Sequence, residues 1–485
     1  MVKIKNMARY ITTTLPYVNA EPHIGFALEL VQADVLARSW RLAGEEVFFS
    51  TGTDEHGQKI YEAAQKQGKE VQDYVDHYAS KVEGLKDILS LTPDNFIRTT
   101  SPEHKEAAQE MWRRCEAAGD IYKKEYTGLY CVGCEAYKTP KEIEDNKCII
   151  HPHLALEEIT EENYFFRLSK YQKYLEDYLS VEGIIIPEWR RQEALTFVRG
   201  GLEDFSISRS VAKLSWGIAV PGDDTQVMYV WFDALTDYIS TLGWPEDKEG
   251  KFKKFWEQGQ TLQVGGKDQV RFQSVMWQAM LKSAELKETE QVFYHGFINS
   301  GGQKMSKSLG NVISPYELVE KYGTEATRYL LLRHVHPVED SDVTWERLDE
   351  WYTANLVNGL GNLVARVMKL SEEHLPEPVA LSDLDHVIDA EFFTLLDTFS
   401  FQDAMDRIFA LVGKGDEFMT SSEPYKKIKV EETAEEARAD LRQLVSQIAH
   451  IALYLAPFMP STSTAILSAV HENKKPENLF PRLAV

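Results

Sequence analysis

Over the first fifty residues the hydrophobic positions change period twice. Residues 8–15, "ARYITTTL", read as a buried strand. From Pro22 to Gly44 the apolar residues Ile24, Leu28, Val31 and Val35 recur at spacings of 4, 3 and 4, which is one face of a helix, and Gly44 suits its C-cap. "EVFFST" then returns to a strand. Strand, helix and strand in succession imply a parallel pair. Ligands bind beyond the carboxyl ends of the strands in such sheets, and "TLPYVNAEPHIG" and "TGTDEHGQ" both fall there.

A second region of this kind starts near "QVMYVWFDAL" and runs through "TLQVGGKDQ" and "QVFYHGFINS". Between the two regions lies about a hundred residues holding three of the four cysteines, an insertion that splits one nucleotide-binding domain. From about Trp345 the pattern turns helical. Thr433 with Glu436 resembles a capping box, Leu441, Leu444, Ile448 and Ile451 form a helical stripe, and Pro457 and Pro460 end it. "HLPEPVALSDLD" is a loop within that region.

Composition narrows the class. A chain of 485 residues exceeds one core and calls for two to four modules. The opening residues lack a signal peptide's apolar centre, and no run approaches the ~18 apolar residues of a membrane helix, so a cytoplasmic protein without membrane contact is expected. Net charge is −23, which excludes an indiscriminate polyanion coat but leaves room for a local basic patch.

Three groups of residues carry chemistry. Gly25 at a helix start admits a base or phosphate to the backbone, where amides and macrodipole favour anionic oxygens, and His23 can donate to a phosphate; a plain capping role is the alternative. "GGQKMSKSLGN" sets Lys304 and Lys307 in a glycine-rich loop able to close over a triphosphate. Cys131, Cys134, Cys148 and His151 form C-x2-C, thirteen residues, then C-x2-H, which supplies four tetrahedral zinc ligands. Such a site is closed, hence one structural Zn2+; His153 competes with His151 as fourth ligand. Cys115 lies on a helical pattern as an inert thiol.

"HIGF" and "KMSKS", in this order and on these elements, resemble the two signatures of class I aminoacyl-tRNA synthetases. With "TTTLPYVNAEPHIG", "STGTDEHGQKI", "YVWFDAL" and "GGKDQVRF", the chain resembles the methionyl-tRNA synthetase family from Arg9 to about Ser463. The resemblance implies an α/β fold: a Rossmann-like parallel sheet split by a zinc-knuckle insertion and followed by an all-α anticodon-binding bundle. Its pieces would be 1–118 and 223–296 (catalytic halves), 119–222 (insertion), 297–348 (KMSKS loop and stem contact) and 349–485 (anticodon bundle).

The resemblance also places Leu15, Tyr17, Asp54, Trp231, Ala234, Tyr238 and Phe272 on the methionine pocket, with Gln273 where the family usually has a histidine. Asp54 would pair with the substrate ammonium, and the aromatics suit a thioether. Gly266 and Asp268 would join His23, Gly25, Lys304 and Lys307 at ATP, with Mg2+; Arg209 falls near ATP and the acceptor end. Asn355 and Tyr425 would meet the anticodon, with Lys426, Lys427 and Lys429 near phosphate. Phe26, Gln269 and Tyr425 also depart from the family pattern, and Phe26 removes a phosphate donor. The implied activity is ligation of L-methionine to tRNA(Met) by a monomer. Its rivals are a class I synthetase for another apolar amino acid and a decayed tRNA-binding relative.

Overall fold

The alternation at the start of the chain becomes strand β1 (Ala8–Thr12), followed by helix α1 (Ile24–Leu42) and strand β2 (Glu46–Thr53). This computed structural model describes residues 8–134, 136–138, 142–305, 310–380 and 388–483. Four further strands complete a sheet with β1 and β2: β3 (Asn95–Arg98), β4 (Ile185–Ile186), β5 (Gln260–Gly266) and β6 (Gln291–His295). Their order is β3-β2-β1-β5-β6-β4, and every neighbouring pair is parallel. The order reverses between β1 and β5, which makes the space beyond their carboxyl ends the place for a ligand.

The chain forms two compact units, residues up to Pro22 with Gly44–Gly84 and Pro93–His295, and His23–Ala43 with Leu85–Thr92 and Gly296 onward. The first unit holds the sheet. Its core is aromatic: Tyr10 meets Trp256 edge-on at 6.0 Å, Trp256 meets Trp277 at 6.1 Å, and the Tyr10 hydroxyl donates to the Tyr238 carbonyl at 2.8 Å. Within the insertion, strand Ile121–Cys131 pairs antiparallel with Glu157–Phe166 and Ala136–Lys138. Midway through the expected insertion, 119–222, the chain visits the main sheet, where Ile184 and Ile185 are buried and β4 pairs with β6. It then rejoins the insertion sheet, with Phe205–Ser206 paired to Phe165 and Phe166.

The second unit is mainly helical. Its anchor is the ion pair of Asp34 on α1 with Arg328 at 2.8 Å, both side chains fully buried. Asp34 also accepts from the Thr92 N–H and hydroxyl, each at 2.7 Å, and Arg328 donates to the carbonyls of Leu89, Pro457 and Phe458. The expected stripe Leu441, Leu444, Ile448 and Ile451 is buried on helix Ala434–Leu455. The capping box at Thr433 does not form. The Thr433 hydroxyl donates instead to the Lys427 carbonyl at 2.7 Å, and Glu436 pairs with the Lys427 ammonium at 2.6 Å. A capping box stands elsewhere: Ser314 and Glu317 close the start of helix Pro315–Tyr322. Pro460 opens the next helix rather than only ending the last. Of "HLPEPVALSDLD", residues 375–380 are irregular and 381–385 lie outside the described residues.

Candidate active site

The carboxyl ends of β1 and β2 bring the first pocket residues together. Past β1, Tyr17 forms a parallel bridge with Asp54, the residue after β2; the Asp54 N–H donates to the Pro16 carbonyl at 3.1 Å. Leu15 lies half-buried between β1 and that bridge. Tyr17 meets Trp231 edge-on at 6.1 Å, and Trp231 stacks on Phe272 with centroids 3.7 Å apart. Trp231 and the buried Ala234 sit on helix α2 (Val230–Ala234), and Tyr238 on helix α3 (Asp237–Ser240). The Gln273 amide donates to the Tyr238 hydroxyl at 2.9 Å. Gly265 leaves room for this amide, since a Cβ there would stand 2.6 Å from Gln273 Oε1. Asp54, Ala234, Tyr238 and Gln273 are buried, while Tyr17, Trp231 and Phe272 remain partly accessible. The result is an aromatic wall with one buried carboxylate.

At the end of β5, Gly266 lies under the carboxylate of Asp268, whose Oδ1 would be 2.7 Å from a Cβ at 266. Asp268 is exposed and accepts from the Gln269 amide at 3.2 Å, so Gln269 is a neighbour of the carboxylate rather than an intruder in the apolar wall.

In the other unit His23 is the N-cap of α1, its Nδ1 accepting from the Gly25 N–H at 3.0 Å. Capping and phosphate donation are therefore compatible. With Nδ1 as acceptor, the neutral ring carries its proton on Nε2, the nitrogen that donates. The close packing gives Gly25 a local purpose, since a Cβ there would lie 2.8 Å from the imidazole. Phe26 is buried and offers nothing to a phosphate. Lys304 ends a hairpin, Ile298–Ser300 against Gln303–Lys304, and is exposed. Gly301 and Gly302 both have positive φ, which a two-residue hairpin turn demands, so these glycines build a tight turn rather than a slack loop. After the loop, the Ile313 carbonyl accepts from the Ile24 N–H at 3.1 Å, tying its far end to the helix start. Lys307 lies outside the described residues.

Cys131, Cys134, Cys148 and His151 converge, their donor atoms all within 4.8 Å of one another. Sγ of Cys134 is 3.5 Å from that of Cys148 and 3.2 Å from His151 Nδ1, spacings close to those of a tetrahedral thiolate–imidazole set. Gly133 makes room, because a Cβ would meet the His151 ring at 2.6 Å. The residues fit a metal. The rival His153 is outside the four-donor cluster, with its ring 6.1 Å from that of His151. Cys115 is buried, and burial pushes its thiol up to about 12, as an inert core thiol requires.

Arg209 is buried rather than exposed to a nucleotide. Its guanidinium lies over the rings of Tyr229, Tyr130 and Tyr137, at 4.7, 5.3 and 5.4 Å, and donates to the Ser208 carbonyl. Asn355 sits half-buried between the Trp351 carbonyl and Arg333. Tyr425 is half-buried beside Glu423 and Lys426, and Lys427 is engaged by Glu436 and Asp440. Sequence reasoning missed His56, His104 and Asp233, which meet beneath the pocket. Their signal, two histidines and an aspartate in unrelated segments, has no spacing to read.

A parallel sheet reversing at β1/β5, a histidine-capped helix after its first strand and a lysine-bearing hairpin define a class I aminoacyl-tRNA synthetase. The family model for "tRNA synthetases class I (M)" matches residues 9–148 and 133–368, and that for the "Anticodon binding domain of methionyl tRNA ligase" matches 373–482. The chain belongs to the methionyl-tRNA synthetase family. Methionine–tRNA ligases of Thermosynechococcus vestitus and Rhizobium meliloti are 40% and 39% identical to it, over 94% and 95% of this chain and 88% and 91% of theirs. Mycobacterium tuberculosis methionyl-tRNA synthetase in complex with methionyl-adenylate superposes with a TM-score of 0.86 at 34% identity, over 95% of this chain and 93% of that one.

Proposed function

We infer that the chain is a methionine–tRNA ligase, which activates L-methionine with ATP and transfers it to the 3′-terminal adenosine of tRNA(Met). The observation that carries the reading is the joined set Tyr17, Asp54, Trp231, Tyr238, Phe272 and Gln273, an aromatic wall around a buried carboxylate. A carboxylate matches the substrate ammonium, and polarizable ring faces match a thioether. Leu15 and Ala234 fill the apolar remainder.

The methionine carboxylate attacks the α-phosphorus; the bond to the β-phosphate oxygen breaks and pyrophosphate leaves. A ribose hydroxyl of the terminal adenosine then attacks the acyl carbon, releasing AMP, and its proton goes to the leaving phosphate or to water. Catalysis is positioning and charge stabilisation. His23 Nε2–H, the positive dipole end of α1 at Gly25, Lys304 and Lys307 stabilise the charged phosphates; Gly266 and Asp268 receive the adenosine. Mg2+ accompanies ATP. Cys131, Cys134, Cys148 and His151 would hold one Zn2+, which with three thiolates and an imidazole would serve to brace the knuckle rather than to catalyse. Asn355 and Tyr425 contact the anticodon. No described helix is long and apolar enough to cross a membrane. We place the enzyme in the cytoplasm as a monomer.

Pyrophosphate exchange into ATP, run with methionine beside leucine, isoleucine, valine, cysteine and norleucine, tests this. Exchange driven chiefly by methionine is expected. Preference for another amino acid overturns the substrate, and no exchange from folded, zinc-loaded protein favours the decayed relative.

A further inference from the structure

Beneath the pocket three almost fully buried ionisable side chains meet. Asp233 stands on α2 between Trp231 and Ala234. Its Oδ2 is 3.2 Å from Nδ1 of His56, two residues past Asp54. Its Oδ1 is 3.5 Å from Nε2 of His104, on helix Pro102–Ala117. The other nitrogen of His104 is 2.9 Å from the hydroxyl of Ser240, two residues past Tyr238. Trp216 closes the His56 side, its indole donating to the Glu55 carbonyl at 2.6 Å with its ring 5.7 Å from the imidazole.

These contacts become ion pairs when an imidazole carries its second proton. Burial pushes the Asp233 carboxyl up, but the facing charges of His56 and His104 outweigh it and hold the group below the usual carboxylate range. Asp237, equally buried, goes the other way: burial pushes it up, and the Asp233 charge adds to that. A buried charge cluster is a poor source of stability, because apolar residues of similar volume serve as well or better. What this one does is join the segments that end in Asp54, Trp231 and Tyr238.

We propose that Asp233 is a positioning residue for the amino-acid pocket, holding the Asp54 segment through His56 and the Tyr238 helix through His104 and Ser240. The proposal rests on the assignment of Asp54, Trp231 and Tyr238 to methionine. Fixed spacing between a carboxylate and an aromatic wall determines how well ammonium and thioether are met together, and a shift of ~1 Å costs up to ~10²-fold.

The test is pyrophosphate exchange on the full chain, with methionine and ATP varied separately, for D233N, H56Q, their double variant and D54N. D233N and H56Q should each raise the methionine KM roughly tenfold while leaving the ATP KM within about twofold, and the double variant should be no worse than the poorer single. A cooperatively melting D233N with wild-type methionine KM overturns the proposal; so does an equal rise in both KM values, or multiplication of the two effects. If D233N does not melt cooperatively, H56Q, which leaves Asp233 its His104 contact, is judged by the same criteria. D54N separates the two readings. An unchanged methionine KM in D54N defeats the pocket assignment itself, whereas a raised one beside an unaffected D233N defeats only the positioning role.

Discussion

His23 shows how one side chain serves structure and chemistry together. Its Nδ1 caps α1 by accepting from Gly25 N–H, which leaves the proton on Nε2 for donation to a phosphate. The pair is interlocked, since a methyl group at residue 25 would strike the imidazole at 2.8 Å. Gly25→Ala should therefore displace the ring and lower the exchange rate by about 10²-fold, the effect of losing one transition-state donor. Measured beside it, thermal stability should change little, because alanine's better helix propensity offsets the lost cap hydrogen bond. The sequence sets His23 and Gly25 at a helix start, which is where they lie; to the close approach of a ligand read there for the glycine, the structure adds a steric fit with the imidazole. The glycine's steric partner is two residues away in an extended conformation, and that is visible only once the turn is built.

At the scale of elements, the insertion sheet and the helix bearing Trp231 share Arg209, whose guanidinium lies over Tyr130 and Tyr137 on one side and Tyr229 on the other. Tyr130 directly precedes Cys131, so the metal cluster begins where this stack ends. Cys148→Ser should reduce bound zinc from one ion per chain, read by atomic absorption, and expose the segment around 131–151 to protease. The far-UV dichroism of the main sheet and helices should be retained, because the knuckle lies outside the six-stranded sheet. The zinc pattern was legible because ligand spacing is a local property. The edge strand β4 was not: two residues carry no periodicity, and only pairing with Val292 and Phe293 makes them a strand. Thr433 failed for the opposite reason, since a local capping signal lost to the tertiary partner Lys427.

Over the whole molecule, the pattern of the chain reveals the parallel sheet and the helical region, and motif spacing reveals the four-donor cluster, yet neither discloses the pairing of Asp34 with Arg328. Burial pushes the Asp34 carboxyl up, but the charges of Arg328 and Arg38 and the hydrogen bonds from Thr92 prevail, so its pKa is lowered on folding. Its stabilisation is thus fully present above the ordinary carboxylate value and is lost as pH falls through the folded-state value. Asp34→Asn should cost about 3–5 kcal/mol near neutrality by leaving Arg328 buried without its counter-charge. In urea titrations at successive pH values that difference should shrink below about pH 4, where the carboxylate of the unfolded chain protonates while that of the folded protein does not. A difference independent of pH would mean that shape, not charge, is what Asn lacks. The two partners of this pair lie 294 positions apart in a chain of 485 residues. On a ribosome adding ~5–20 residues per second, the aspartate leaves the decoding centre roughly 15–60 s before its arginine is even joined to the chain. During that interval Asp34 has Arg38, one turn along α1, as its counter-charge, and its full burial must wait until residue 328 has been made.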